Sequence, residues 1–316
     1  MRTVLQAGRS VRVSVPASSA NLGPGFDTIG LALGIRDEYA GTVTSTPGLT
    51  ISLRGEGADA LPSDETHLVA RALRQALEVM GVGWLDELAR RGLGLRLDCH
   101  NVIPMSAGLG SSATAVVAGL GLGFALASRR PLTEAELGLV NTHAGVGEGH
   151  PDNSSASVYG GLTVSWMPAA RVVRTAHLVV HPEVEPVVLL PRGDRLSTTT
   201  ARAVLPGHVS HADAVQQAGR AALLVHALTT DPTLLWDATC DWLHQEQRRT
   251  AYPGSMAAVD ALRAQGHAAV VSGAGPTVLA LVRRDIGDAV AAEARGWGRS
   301  WKVIRPGIAL HGLIAT

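Results

Sequence analysis

The segment PMSAGLGSSAT, residues 104–114, constrains the fold more than any other, because the 15 residues 113–127, ATAVVAGLGLGFALA, are apolar apart from one threonine. A stretch of that length and composition reads as a helix buried against the sheet of the N-terminal half. The chain can supply the surroundings: 46% of its 316 residues are hydrophobic, enough for a large core and for two domains of ordinary size. Ahead of the helix, the loop offers glycines that admit a ligand close to the backbone, a row of free N–H groups, and the positive end of a helix dipole. Together these suit an anion. Ser111 and Ser112 add hydroxyls that can cap the helix, donate to phosphate oxygens or ligate magnesium. The plainer alternative is a strand-to-helix turn whose glycines only permit tight packing.

Composition removes whole classes of function. The 27 basic and 27 acidic residues cancel and aromatic residues make up 3% of the chain, so the charge and stacking surface of a nucleic-acid binder are missing. Lys302 is the only lysine. A Walker-type loop needs a lysine after its last glycine and a protein kinase needs one on a strand facing the nucleotide, so both are excluded. The run GLGSSA also satisfies the G-x-G-x-x-A of dinucleotide-binding folds. That motif wants an acid ending a second strand about 20 residues on; the acids found there, Glu134 and Glu136, sit in the first turn of a helix. Cys99 and Cys240 have neither disulfide-framework nor metal-ligand spacing and read as core thiols. Arg2, Arg9 and Arg12 interrupt the apolar core of a signal peptide, and no apolar run reaches the ~18 residues of a membrane span, so the expectation is a cytoplasmic protein with no membrane partner.

Periodicity orders the rest. Alternation in VRVSVPAS (11–18) and β-branched enrichment in GTVTSTPGLTISLRG (41–55) read as strands, and THLVARALRQALEVM (66–80) has helical spacing. LGLRLDCH (93–100) is a strand leading into the loop, and Thr133 with Glu136 three residues on is the capping-box signature of another helix. From Val187 the order is strand, helices, strand (AAVVSG), tight turn (273–276), strand (TVLALV), helix (IGDAVAAEARGW) and final strands around KVIRPGIALHGLI. With the inserted helices set aside, this is the β-α-β-β-α-β order of ferredoxin-like domains. The expected class is α+β, in two domains, 1–168 and 169–316.

Three segments read together, PASSANLGPGFDTIGLAL (16–33), PMSAGLGSSAT and VSGAGPTVLAL (271–281), resemble the small-molecule kinases of the galactokinase, homoserine kinase, mevalonate kinase and phosphomevalonate kinase superfamily. With EGHPDN (148–153) between them, the first segment resembles the homoserine kinase family in particular, and the similarity runs in order along nearly the whole chain. The resemblance implies an N-terminal α/β domain related to a ribosomal-protein fold, a C-terminal ferredoxin-like domain, and a site between them. It also implies phosphorylation by ATP of the L-homoserine hydroxyl, giving O-phospho-L-homoserine on the route to threonine. The ATP phosphates then fall to Pro104, Met105, Ser106, Ala107, Gly108, Leu109, Gly110, Ser111, Ser112, Ala113 and Thr114, and Mg2+ to Glu148 with Ser112. Asn21, Asp27, His150, Arg202 and Arg248 face the zwitterionic substrate by the same resemblance. Asp27 suits the ammonium; the arginines suit the carboxylate, which a guanidinium grips through two parallel hydrogen bonds. Asn153 falls near the transferring phosphoryl group, and Asp152 lines the site, with general base as a second role.

This chain departs from the family twice. The pattern HxPYRxxxxPG, which fixes Arg248 by the spacing from His244 to Pro253 and Gly254, has Glu246 and Gln247 in place of proline and tyrosine, and Arg249 follows directly. After EGHPDN the chain reads SSASVYGG instead of VAPAIYGG, which puts the hydroxyls of Ser154 and Ser155 beside the site and leaves open a shifted substrate preference. The SGAGPT turn is expected to close against the phosphate loop, and relatives imply a homodimer. Two alternatives stand: a kinase of the superfamily acting on another small alcohol such as mevalonate, favoured if Asp27, Arg202 and Arg248 do not converge, and a nucleotide-binding protein without catalysis, which intact EGHPDN and both arginines oppose.

Overall fold

The computed structural model describes residues 5–128, 130–193, 198–298 and 300–316. Strand β1 (Ser10–Asn21) buries Val11, Val13 and Val15 and turns Arg12 to solvent, the alternation of a strand with one wet face, and from Pro16 it is buried on both. It pairs antiparallel with the long β2 (Gly25–Thr44). Next come β3 (Gly48–Gly55), α1 (Leu68–Val79) and α2 (Leu85–Ala89), after which β4 (Gly94–Asn101) lies between β2 and β3, antiparallel to the former and parallel to the latter. The glycine-serine loop opens α3 (Ser111–Ser128), followed by α4 (Glu134–Glu148), α5 (Asp152–Tyr159) and the hairpin of β5 (Leu162–Ala169) and β6 (Val172–Leu178), in which β5 pairs with β2.

Helix α3 has the length and apolarity of a membrane-crossing helix, which corrects the reading that no stretch reaches it, yet 72% of it is buried within the protein, against α1, β1 and α4. Its glycines explain how it fits. A Cβ on Gly119 would lie 2.4 Å from the Val69 carbonyl oxygen, and one on Gly123 2.4 Å from Ala76 Cβ, so these two let α1 pack at close range. The capping box of α4 forms as expected, with Glu136 N donating to Thr133 Oγ1 at 3.3 Å and Thr133 N to Glu136 Oε2 at 2.9 Å.

The second half runs β7 (Val184–Pro191), α6 (Thr198–Ala203), α7 (His211–Thr229), α8 (Leu235–Ala238), α9 (Pro253–Ala264), β8 (Ala268–Val271), β9 (Val278–Arg283), α10 (Gly287–Gly296) and β10 (Trp301–Ile304). Its sheet is antiparallel in the order β10-β7-β9-β8, the ferredoxin-like arrangement. One face packs Val187, Leu189 and Ala280 on Met256 and Val259 of α9 and Val290 of α10. The other packs Val188, Leu190 and Leu279 on Leu224 and Leu228 of α7 and on Leu22, Leu31, Ile103 and Leu109 of the first half. Each large side chain so buried contributes about 1.5–3 kcal/mol, and this shared core fixes one half against the other. Two features were not visible in the sequence. Strand β11 (Ile314–Ala315) leaves the second half and pairs with β1, and the β5–β6 hairpin of the first sheet spans residue 168. Cys99 is a core thiol, whereas Cys240, just beyond the short α8, is only partly buried, with Arg263 Nη2 3.0 Å from its sulfur.

Candidate functional site

Three loops meet at the N-terminus of α3. Gly108 and Gly110 have φ of +79° and +69°, and a Cβ would lie 2.3 Å from the Ser272 carbonyl oxygen at the first and 2.1 Å from Ser18 Oγ at the second. That close approach lets the segments bond one another. Ser272 Oγ donates to Gly108 O at 2.6 Å, Thr277 N to Ala107 O at 3.2 Å, and Ser18 N to Leu109 O at 3.1 Å. Gly273 N donates to Ala20 O at 3.1 Å and Asn21 Nδ2 to Gly273 O at 3.0 Å. The SGAGPT turn thus closes on both other motifs.

At this junction lies a cavity of about 760 Å³, lined by every candidate site residue from the sequence except Pro104 and Thr114. Thr114 is fully buried, and its hydroxyl donates to Pro16 O at 3.2 Å, so it holds the loop's helix to β1. Within the cavity Arg202 Nη1 and Nη2 donate to Asp27 Oδ2 and Oδ1 at 2.9 and 2.6 Å, the two-point geometry guanidinium favours. Asp27 N donates to Asn21 Oδ1 at 3.0 Å, so both ends of the Asn21 amide are engaged, one to Gly273 and one to orient Asp27. Phe26 carries the arrangement, with the guanidinium carbons of Arg202 and Arg248 at 5.4 and 5.5 Å from its ring centre.

Arg248 is 2% exposed, and its Nε donates to Ala201 O at 2.8 Å. Burial lowers its pKa from the ordinary value, although a guanidinium stays charged. Among the described residues no carboxylate pairs with it, whereas the neighbouring Arg249 is taken on the surface by Glu246 and Asp260. A desolvated cation without a counter-ion is a site for an anionic ligand.

EGHPDN places its charged groups at the junction of α4 and α5. Asp152 is 1% exposed and its Oδ1 accepts from His150 Nδ1 and from Asn153 N, both at 2.7 Å. Burial opposes charge on His150, but the Asp152 bond, with the charges of Asp152, Asp27 and Glu148, outweighs it and raises the pKa. Glu148 ends α4, at the negative end of its dipole, and its Oε2 is buried with no hydrogen-bond partner among the described residues. Burial, with Asp152 adding and His150 opposing, lifts its pKa to about 7. An acceptor with no donor fits a hard cation such as magnesium, and the Ser112 hydroxyl in the same cavity offers the matching oxygen. Asp27, His150 and Asp152 also hold ligand-type atoms within 4.8 Å of one another, but these carboxylates already accept from Arg202 and His150.

Several lining residues were missed by sequence reasoning. Phe26 was in view inside PGFDT, yet nothing marked it as a platform. Leu61, His67, Leu68, Val69 and Asn101 carry no motif, and the buried His67 Nδ1 and Asn101 Oδ1 have no partner among the described residues. Conversely, Ser154 and Ser155 are fully buried and do not line the cavity: Ser155 Oγ donates to Asn141 Oδ1 at 2.8 Å and lies 3.1 Å from Thr175 Oγ1. The Ser155 hydroxyl serves the packing of α5 on α4 and β6, and Ser154 Oγ donates to Pro151 O at 3.3 Å in the first turn of α5 itself, which corrects their placement beside the substrate.

Residues 67–161 match the family model described as GHMP kinases N terminal domain, and residues 217–300 the one described as GHMP kinases C terminal. The chain is 49% identical over 277 residues to a homoserine kinase of Cutibacterium acnes, covering 87% of this chain and 90% of that one. It is 47% identical over 312 residues to a homoserine kinase of Rhodococcus opacus, covering 94% and 95%. Its fold is that of the crystal structure of homoserine kinase from Cytophaga hutchinsonii, with a TM-score of 0.83 over 98% of this chain and 99% of the other at 23% identity.

Proposed function

Since the chain belongs to the homoserine kinases of the GHMP kinase family, we propose that it transfers the γ-phosphoryl group of ATP to the side-chain hydroxyl of L-homoserine. The observation that carries the substrate class is the convergence of Asp27, Arg202 and Arg248 on Phe26 in the cavity that the phosphate loop lines. Arg248, buried and with no carboxylate partner among the described residues, takes the α-carboxylate. Asp27 keeps lone pairs beyond those Arg202 occupies, and these accept from the ammonium. Mevalonate would satisfy Arg248 but bring no cation to Asp27, which favours the amino acid over that alternative.

At the other reacting group, the loop 105–113 and the dipole of α3 receive the phosphates of ATP. The apolar wall formed by Leu61, Leu68, Val69 and Met105 suits the flat faces of the base. Glu148 and Ser112 would hold magnesium, which when bound neutralises charge on the β- and γ-phosphates. Positioning and charge stabilisation supply most of the acceleration in phosphoryl transfer. Asp152 therefore acts first by lining the site and holding His150, and Asn153 by facing the transferred group.

The test is ADP release with Mg-ATP, comparing L-homoserine with D-homoserine, L-serine, L-threonine, mevalonate and no acceptor. Stimulation by L-homoserine alone, lost in Arg202→Ala and Arg248→Ala, is the expected outcome. Preference for mevalonate would move the protein to another substrate of the family, and no stimulation by any acceptor would remove the kinase mechanism.

A further inference from the structure

Arg248 owes its direction to a histidine outside the cavity. The His244 ring is 0% exposed and stacks on Phe26, with centroids 5.0 Å apart at 24°. Its Nε2 lies 2.8 Å from Gly23 O, and its Nδ1 lies 3.2 Å from Arg248 Nη1. A carbonyl only accepts and a guanidinium only donates, so both partners require the neutral tautomer with hydrogen on Nε2 and a bare Nδ1. Burial and the charge of Arg248 oppose protonation, against the pull of Asp241, whose Oδ1 is 3.5 Å from Nε2. The backbone is fixed as firmly: Asp241 Oδ2 accepts from His244 N and Gln245 N at 2.9 and 2.8 Å, and Gln245 Oε1 accepts from Val271 N at 2.6 Å. His244 thus ties Arg248 to the first motif through Gly23, and the next residue, Gln245, ties the same turn to the third through Val271 of β8.

We propose that His244 is a positioning residue that fixes Arg248 for the α-carboxylate of the substrate, and so sets carboxylate recognition without touching the ligand; this rests on the kinase function proposed above. Two variants separate the halves of the ring. The amide of His244→Gln reaches the place of Nε2 and keeps a donor to Gly23, but offers no acceptor at Nδ1; His244→Asn keeps an acceptor near Nδ1 and loses the Gly23 bond. Steady-state kinetics with both substrates and a thermal melt are measured for each. His244→Gln should raise the KM for L-homoserine about ten- to hundred-fold, the worth of a hydrogen bond to a charged group, with kcat and the KM for ATP nearly unchanged, and His244→Asn should recover most of the loss. An unchanged homoserine KM in His244→Gln, or a fall in kcat in both variants that follows a fall in Tm, overturns the proposal and leaves His244 a packing residue. If the parent turns over L-homoserine, that outcome removes this inference alone; if the parent does not, the proposed function and this inference fail together.

Discussion

Two glutamates on one helix have opposite fates. Glu136, in the first turn of α4, accepts from Ser128 Oγ at 2.5 Å, Thr133 N at 2.9 Å, Thr133 Oγ1 at 2.8 Å and Arg130 Nη1 at 2.8 Å. Burial alone would raise its pKa, but these donors outweigh it and bring it to about 2. Glu148, at the far end of the same helix, has an oxygen with no donor among the described residues and a pKa lifted to about 7. Saturated groups hold the fold, and unsatisfied ones are left for a ligand at a cost of about 1–3 kcal/mol each. The arginines repeat the contrast, since Arg305 is held by Glu185 and Asp288 while Arg248 is buried with no carboxylate beside it among the described residues.

The largest effect should come from Glu148→Gln, which keeps the shape and removes the charge. Turnover with Mg-ATP should fall about 10²–10³-fold, the scale of lost metal-assisted charge stabilisation, while stability improves. The sign follows from linkage: a pKa of about 7 against an ordinary 4.5 means that the folded protein binds the proton more tightly than the unfolded chain, so the parent loses stability as pH rises through that window. At pH 8 the variant should melt about 2–4 °C higher, and below pH 4 the difference should vanish. Unchanged turnover with a lower Tm would break the comparison.

Arg248→Lys comes next, keeping a charge but losing the planar fork. The KM for L-homoserine should rise about ten- to hundred-fold with the KM for ATP unaffected, whereas Arg305→Lys should change neither. Equal effects at both positions would mean that burial without a counter-ion is no mark of function here.

Glu136→Gln should do the reverse of Glu148→Gln, lowering stability by about 1–2 kcal/mol and leaving kcat alone. Its depressed pKa means the contribution is present above pH 4.5 and is lost as pH falls toward 2. A plot of Tm against pH should therefore be flatter for the variant across that window.

Much of the fold was legible because its signals are local: the capping box at Thr133, the alternation at Val11 to Val15, and the β-α-β-β-α-β order of the second half. The return of β11 to β1 was not, since a two-residue pairing at a sheet edge leaves no periodicity to read. At the site, the loop before α3 was legible because its backbone geometry demands glycine at 108 and 110, and EGHPDN carried Glu148. What no motif reports is the count of donors around a side chain. Glu136 and Glu148 are the same letter, and their difference is made by Ser128, Thr133 and Arg130 at one end and by the lack, among the described residues, of a donor to Glu148 Oε2 at the other. Phe26, His67 and Asn101 are recognisable only once β2, β4 and α1 are folded together.

Ser155 gives the smallest effect and tests the contrast where sequence and structure disagreed. Its hydroxyl belongs to a closed network: Asn141 Nδ2 donates to Thr175 Oγ1 at 2.9 Å, Ser165 Oγ lies 3.0 Å from the same Thr175 oxygen, and Ser155 Oγ completes it at Asn141 Oδ1. Ser155→Ala leaves that amide oxygen without its donor, at a cost of about 1 kcal/mol. The expected result is a lower Tm with an unchanged ratio of kcat/KM for L-homoserine over L-serine and L-threonine. A changed ratio at constant Tm would show that a fully satisfied, fully buried hydroxyl still tunes the substrate, and satisfaction would then no longer separate the scaffold from the site.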